Sequence, residues 1–306
     1  MKKIMLGLCL FLSINNLYAK GDLYLFEIEN KEGKYSPELI VKAFEKNGFY
    51  ISATSEMNKP FLIEFKETKF DIFTLLTLFH REFSEKLIKK HAKAGIFVPM
   101  GIGIYQQKHD DFLHISILRA QTQEKILGFK DVNLHKIEMS VIKTLKETLP
   151  GVKMSISAQA LKAEGPLVTL LEYNVEPNNW KNTKEDLQLL IEDGFKPSGF
   201  VMSNFTDFNY RLTKADTVES GFDFYETYSI CKLKVIYTVS KTSPEAAAFA
   251  PCSFMFYKKK DENKIVMGFP TVYNWMSSAY LNNAESKKVL IKAQREFETI
   301  LKEASE

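Results

Sequence analysis

The chain has 306 residues, of which 45% are hydrophobic and 26% charged, and its formal net charge is +3. This is the composition of an ordinary folded globular protein, and the length favours two domains over one. Lys2 and Lys3 carry two of the surplus charges, so the remainder is near neutral and lacks the basic footprint of a nucleic-acid binder.

Met1-Lys2-Lys3 is a short basic start, and Ile4 to Ile14 is almost wholly apolar. Leu17-Tyr18-Ala19 then places a small residue before Lys20. This pattern predicts a secretory signal peptide, residues 1–19, cleaved after Ala19 to leave a periplasmic or secreted protein. The apolar run falls far short of the roughly twenty residues that span a bilayer. No later stretch approaches that length, so no transmembrane span is expected in the mature chain.

A first unit, residues 20–150, follows. Its predicted elements are strand Leu23–Glu29, helix Pro37–Lys46, strands Phe49–Thr54 and Phe70–Phe79, helix Glu82–Ala94, strands Met100–Gln106 and Phe112–Leu118, and helix Lys136–Thr148. Ser36-Pro37 is an N-cap followed by proline at the first helical position, and Asn47-Gly48 suits the helix end. Phe83, Leu87, Ile88 and Ala94 recur at helical spacing, which gives that helix one buried face. Leu149-Pro150-Gly151 closes the unit, and residues 151–164 read as a linker.

A second unit, residues 165–306, repeats the first. Phe97-Val98-Pro99-Met100-Gly101-Ile102-Gly103-Ile104-Tyr105 recurs as Phe249-Ala250-Pro251-Cys252-Ser253-Phe254-Met255-Phe256-Tyr257. A polar turn and a second apolar strand follow in both places. The register runs back without a gap to Phe70-Asp71 and Phe222-Asp223. The fold class is therefore α+β: two similar domains, each a small mixed β-sheet packed with helices. Lys232 to Lys241 is ambiguous, because its Val, Ile, Tyr and Thr favour strand while the repeat register asks for helix. The register is followed here.

Cys231, Tyr237, Pro244 and Pro251-Cys252, with Phe97-Val98-Pro99-Met100 in the other unit, resemble the pattern of the bacterial domain-of-unknown-function family numbered 302. The hairpins Tyr105 to Leu118 and Tyr257 to Pro270 are similar to that family's hairpin. The family's Cys-Asn-Pro at a helix start reads Cys231-Lys232-Leu233 here. The resemblance implies a small α+β domain in two tandem copies. It implies no established activity and no catalytic mechanism.

The candidate site residues are Cys231, Cys252, Tyr105 and Tyr257. The two cysteines are the pair that remains once Cys9 leaves with the signal. They read as buried thiols, as a disulfide, or as a redox or ligand-binding pair. Their repeat counterparts, Phe79 and Met100, are apolar, which favours burial. If a strand–helix–strand crossover joined parallel strands, the two thiols would stand at opposite edges of the sheet and could not bridge. Tyr105 and Tyr257 hold matching positions, either lining paired sites or closing the end of a core. His80, His91, His109, His114 and His135 all lie in the first unit and follow no metal-ligand motif. No cofactor and no metal are expected.

Two function classes compete. The first is a non-catalytic binding or accessory module for a small molecule or periplasmic protein. The second is a thiol-dependent redox protein or enzyme using Cys231 and Cys252. The absence of any recognisable catalytic motif favours the first.

Overall fold

A computed structural model describes residues 21–162, 164–212 and 219–306. The expected signal peptide lies outside the described residues.

The first half opens with β1 (Leu23–Glu29), α1 (Pro37–Lys46), β2 (Phe49–Glu56), α2 (Asn58–Phe65), β3 (Phe70–His80) and α3 (Arg81–Lys90). A 3-10 segment (Ala92–Ile96), β4 (Met100–Gln107), β5 (Phe112–Leu118), α4 (Ala120–Leu127), α5 (Val132–Thr148) and β6 (Lys153–Ile156) complete it. The second half runs β7 (Val168–Asn174), α6 (Trp180–Ser198), β8 (Phe200–Asp207), α7 (Phe208–Leu212), β9 (Phe222–Lys232) and α8 (Leu233–Ser240). A second 3-10 segment (Pro244–Phe249), β10 (Cys252–Lys259), β11 (Lys264–Pro270), α9 (Val272–Ser278) and α10 (Ala284–Ala304) follow.

Up to β6, the two halves share one order of elements. The sheet orders match as well, β2-β3-β4-β5-β1-β6 and β8-β9-β10-β11-β7. Leu78 pairs with Met100 as Ile230 pairs with Cys252. A register irregularity falls between Ile51 and Ala53 in one edge pair and between Met202 and Asn204 in the other.

Local chemistry explains several boundaries. Ser36 accepts a hydrogen bond from the Leu39 amide with Pro37 following it, so α1 begins where its capping residues sit. Asp131 accepts from the Asn133 amide at 2.8 Å, which starts α5 four residues before the expected Lys136. The helix expected to end at Ala94 stops at Lys90 and tightens into the 3-10 segment. Residues 153–156, expected within a linker, pair with β1 and extend the first sheet. The ambiguous stretch is helical, as α8.

Every strand pair is antiparallel, including β9 with β10. This corrects the parallel crossover considered for the two cysteines. The eight residues of α8 rise only about 12 Å, whereas the eight of β10 run about 26 Å. So short a helix cannot carry the chain back along a whole strand. The chain instead turns at one end of the sheet and re-enters there.

Each sheet is buried on both faces. On the first sheet, Phe26, Leu76, Leu78, Ile102, Ile104 and Ile115 pack against helices through Ile40, Phe44, Leu87 and Val141. Its other face, with Phe73, Leu75 and Tyr105, joins a core shared with Ala246 to Ala250 of the second half. On the second sheet, Ile230, Phe254, Phe256 and Phe269 meet α6 and α10, while Tyr225, Met255 and Tyr257 join the core of the first half.

The exchange between halves is reciprocal. The second 3-10 segment lies on β4 and β5, and the first lies on β10 and β11. Gly101 and Gly103 of β4 make room for it: a Cβ on Gly103 would press on the Ala247 Cβ and stand 2.7 Å from Ser116 Oγ. In the reverse direction the Gly95 amide donates to Tyr225 Oη at 3.0 Å, Tyr225 Oη donates to the Ala92 carbonyl, and Ser253 Oγ donates to the Gly95 carbonyl at 2.7 Å.

Candidate functional site

Because β9 and β10 run antiparallel, Cys231 at the end of one and Cys252 at the start of the other come to the same end of the second sheet. Cys252 sits directly opposite Ile230, the neighbour of Cys231. Both are free thiols, and both line one cavity bordered by α8, α9 and α10. Its volume is ≈ 40 Å³.

The wall is almost wholly apolar. Phe200, Ile230 and Phe269 contribute from the sheet, Val235 and Ile236 from α8, and Val272, Trp275, Leu290 and Phe297 from α9 and α10. Gln294 also reaches the wall, but its polar atoms are engaged. Its Oε1 accepts from the Val272 amide at 3.0 Å, and its Nε2 donates to Glu298 Oε1 at 2.6 Å. The Trp275 indole N–H is buried near the Cys252 sulfur without completing a hydrogen bond.

Burial pushes the Cys231 thiol up to about 11. Burial, with Cys231 alongside, pushes Cys252 up to about 12, and the neighbouring indole offsets only part of that. Desolvation disfavours the charged form of any acid, so both sulfurs are neutral thiols near pH 7. A neutral thiol is a poor nucleophile and a poor metal ligand.

At the matching positions of the first half stand Phe79 and Met100, both buried. Phe79 packs on Tyr50 with ring centroids 5.0 Å apart and on Phe208 of the second half at 4.7 Å. Cys231 and Cys252 are smaller than these counterparts, and both line the cavity under α8.

Tyr105 and Tyr257 stand elsewhere. Both are buried on the faces where the halves meet, and neither lines the cavity. Tyr105 stacks on His114 with centroids 5.2 Å apart, and Tyr257 stacks on Tyr225 at the same separation. Burial, helped by Glu262 and Glu172, pushes Tyr257 up to about 12. Burial likewise raises Tyr105, next to Glu245 of the second half. The histidines take local partners: His80 caps α3, His91 meets Asp131 at 3.2 Å, His114 meets Asp110 at 2.9 Å and His135 meets Glu124 at 3.0 Å. Among the described residues no three His, Cys, Asp or Glu side chains converge on a metal position.

Trp275, Val235 and Lys232 were not anticipated as lining residues. The repeat marked only the two cysteines, through their exchange for Phe79 and Met100.

Residues 182–304 match the family model described as "Domain of unknown function DUF302". A DUF302 domain is present in the second half. The match runs from within α6 to the end of α10 and so contains every residue lining the cavity. Among solved structures, one similar to this chain is that of an uncharacterized conserved DUF302 protein from Bacillus stearothermophilus, with 14% identity and a TM-score of 0.36, covering 46% of this chain and 100% of that one. No curated protein matches. Among the described residues, no helix is long and apolar enough to cross a membrane.

Proposed function

We propose that the protein is an exported, non-catalytic binding module that holds a small apolar ligand, or the apolar part of one, in the thiol-lined cavity of its DUF302 domain. One observation carries this reading. An apolar cavity in the second half is lined by Cys231 and Cys252, whose counterparts in the first half are the larger, buried Phe79 and Met100. Concave apolar sites with few polar groups are the usual form of small-molecule sites. Residues 20–150 are read as a divergent second copy of the unit, supported by the shared order of elements and the matched register irregularities. The basic, apolar and small-residue sequence from Met1 to Ala19 supports export.

The test is intact mass, native and then denatured, on protein taken from the periplasm. Excess mass that disappears on denaturation, in a chain beginning at Lys20, is the expected result. The variant Cys231→Phe with Cys252→Met restores the side chains of the first half and should carry no excess mass while keeping its fold. Bare wild-type protein that also takes up no neutral probe such as 1-hexanol would overturn the reading.

The redox alternative draws on one fact, that the two free thiols share an end of the sheet on paired strands. Their raised pKa values weigh against it, since thiol exchange needs a thiolate.

A further inference from the structure

The opening of the cavity is basic. Lys232 and Val235 line both the cavity and an adjoining surface groove of ≈ 370 Å³, and Lys234, Lys288 and Lys292 line that groove as well. Three carboxylates stand nearby. Glu285 lies in the groove, Glu64 lines a second groove that Lys232 and Lys234 share, and Glu296 holds Lys232 at 2.5 Å and Lys292 at 3.6 Å. Lys234 and Lys288 are exposed and make no ion pair among the described residues. The N-terminus of α8 opens at the same place, and its capping residue, Lys232, gives no side-chain hydrogen bond to the first turn. A helix start adds to the positive potential.

Resting on the binding reading above, we infer that the ligand is a short-chain organic monoanion. Its aliphatic tail occupies the space beside Cys231, Cys252 and Trp275, and its carboxylate meets Lys232 and Lys234 at the opening. Charge sets the head group: four lysines face three carboxylates around the opening, in a chain that is otherwise near neutral. Volume sets the tail: ≈ 40 Å³ is a few times the roughly 10–15 Å³ that one water-sized group needs, which suits a few carbons and not a long acyl chain. Neutral thiols bring no negative charge of their own, so nothing inside the cavity repels the anion.

The chain has two tryptophans, so Trp180→Phe leaves Trp275, in the cavity wall, as the sole fluorescence reporter. In that background hexanoate, 1-hexanol and laurate are titrated. Hexanoate is expected to bind about tenfold or more tighter than 1-hexanol, the ratio for one charge-assisted hydrogen bond. Lys234→Gln with Lys288→Gln, both at exposed positions, should bring hexanoate toward the affinity of 1-hexanol, and added salt should weaken hexanoate alone. Equal affinities for hexanoate and 1-hexanol overturn the anion assignment and leave the cavity reading standing. Binding of neither probe overturns both. Hexanoate binding that persists in Cys231→Phe with Cys252→Met places the anion on the surface only and overturns the tail assignment. Laurate binding more than tenfold tighter than hexanoate overturns the short-chain assignment in favour of a lipid.

Discussion

Gly103→Ala tests the reciprocal packing of the two halves. The added methyl would lie against the Ala247 Cβ, 3.2 Å from the Ala247 carbonyl carbon and 2.7 Å from Ser116 Oγ. Two of these contacts are to the body of a buried 3-10 segment rather than to the end of a flexible side chain, so relief requires the segment to move. Overpacking of this kind costs about 1–3 kcal/mol, and the rigid neighbour puts Gly103→Ala toward the upper end. At roughly 1.5 °C per kcal/mol for a chain of 306 residues, the thermal midpoint should fall by about 3–5 °C. The assay is thermal unfolding followed by circular dichroism, on Gly103→Ala, Ala247→Gly and the double variant. Ala247→Gly alone loses a buried methyl and destabilises. Combined with Gly103→Ala it removes the closest of the three contacts, so the double variant should be more stable than the sum of the singles, with a coupling of about 1 kcal/mol or more. A wild-type midpoint for Gly103→Ala, or strict additivity in the cycle, would refute the packing argument.

Tyr225→Phe removes the hydroxyl that bridges the Ala92 carbonyl and the Gly95 amide. Leaving those groups without a partner should cost about 2–3 kcal/mol, read as a lower urea midpoint. Asp131 provides an acid-dependent contribution. Burial alone would raise its pKa, but Lys90 and Asn133 outweigh that and hold it at about 2, below the ordinary 3.8. Because the folded-state value is the lower one, the stabilisation is full above pH 4 and is lost as pH falls toward 2. Asp131→Asn should flatten that limb of an acid-unfolding curve. Cys231 and Cys252 should react with a disulfide reagent at pH 8 about a hundredfold or more slower than an exposed thiol, with the rate rising up to pH 11 and beyond. Fast labelling of the folded protein at pH 7 would revive the redox alternative.

The elements that were legible are those with a strong period or strong punctuation. Ser36-Pro37 and Asn47-Gly48 bracket α1, and the repeated Phe-x-Pro strand places β4 and β10. α2 and α7 escaped because eight and five residues give too few turns to establish a period. Strand direction at the cysteines escaped for a different reason. A helix between two strands suggests a parallel crossover, and only the rise of α8 set against the length of β10 argues otherwise. Cys231 and Cys252 were recognisable as a pair. Tyr105 and Tyr257 were recognisable as matched, but which face of a strand meets a neighbouring unit is a tertiary fact. Lys232, Trp275 and Leu290 lie far apart along the chain, and only folding unites them at one cavity.

The crossed 3-10 segments also set an order of events during synthesis. The face of the first sheet at Gly101 and Gly103 is covered by residues 246–250, which leave the ribosome some 140 residues later. At about 5–20 residues per second, that surface waits roughly 7–30 s for its cover. The amino-terminal half therefore cannot complete that face by itself, which stays uncovered until the carboxy-terminal half is present.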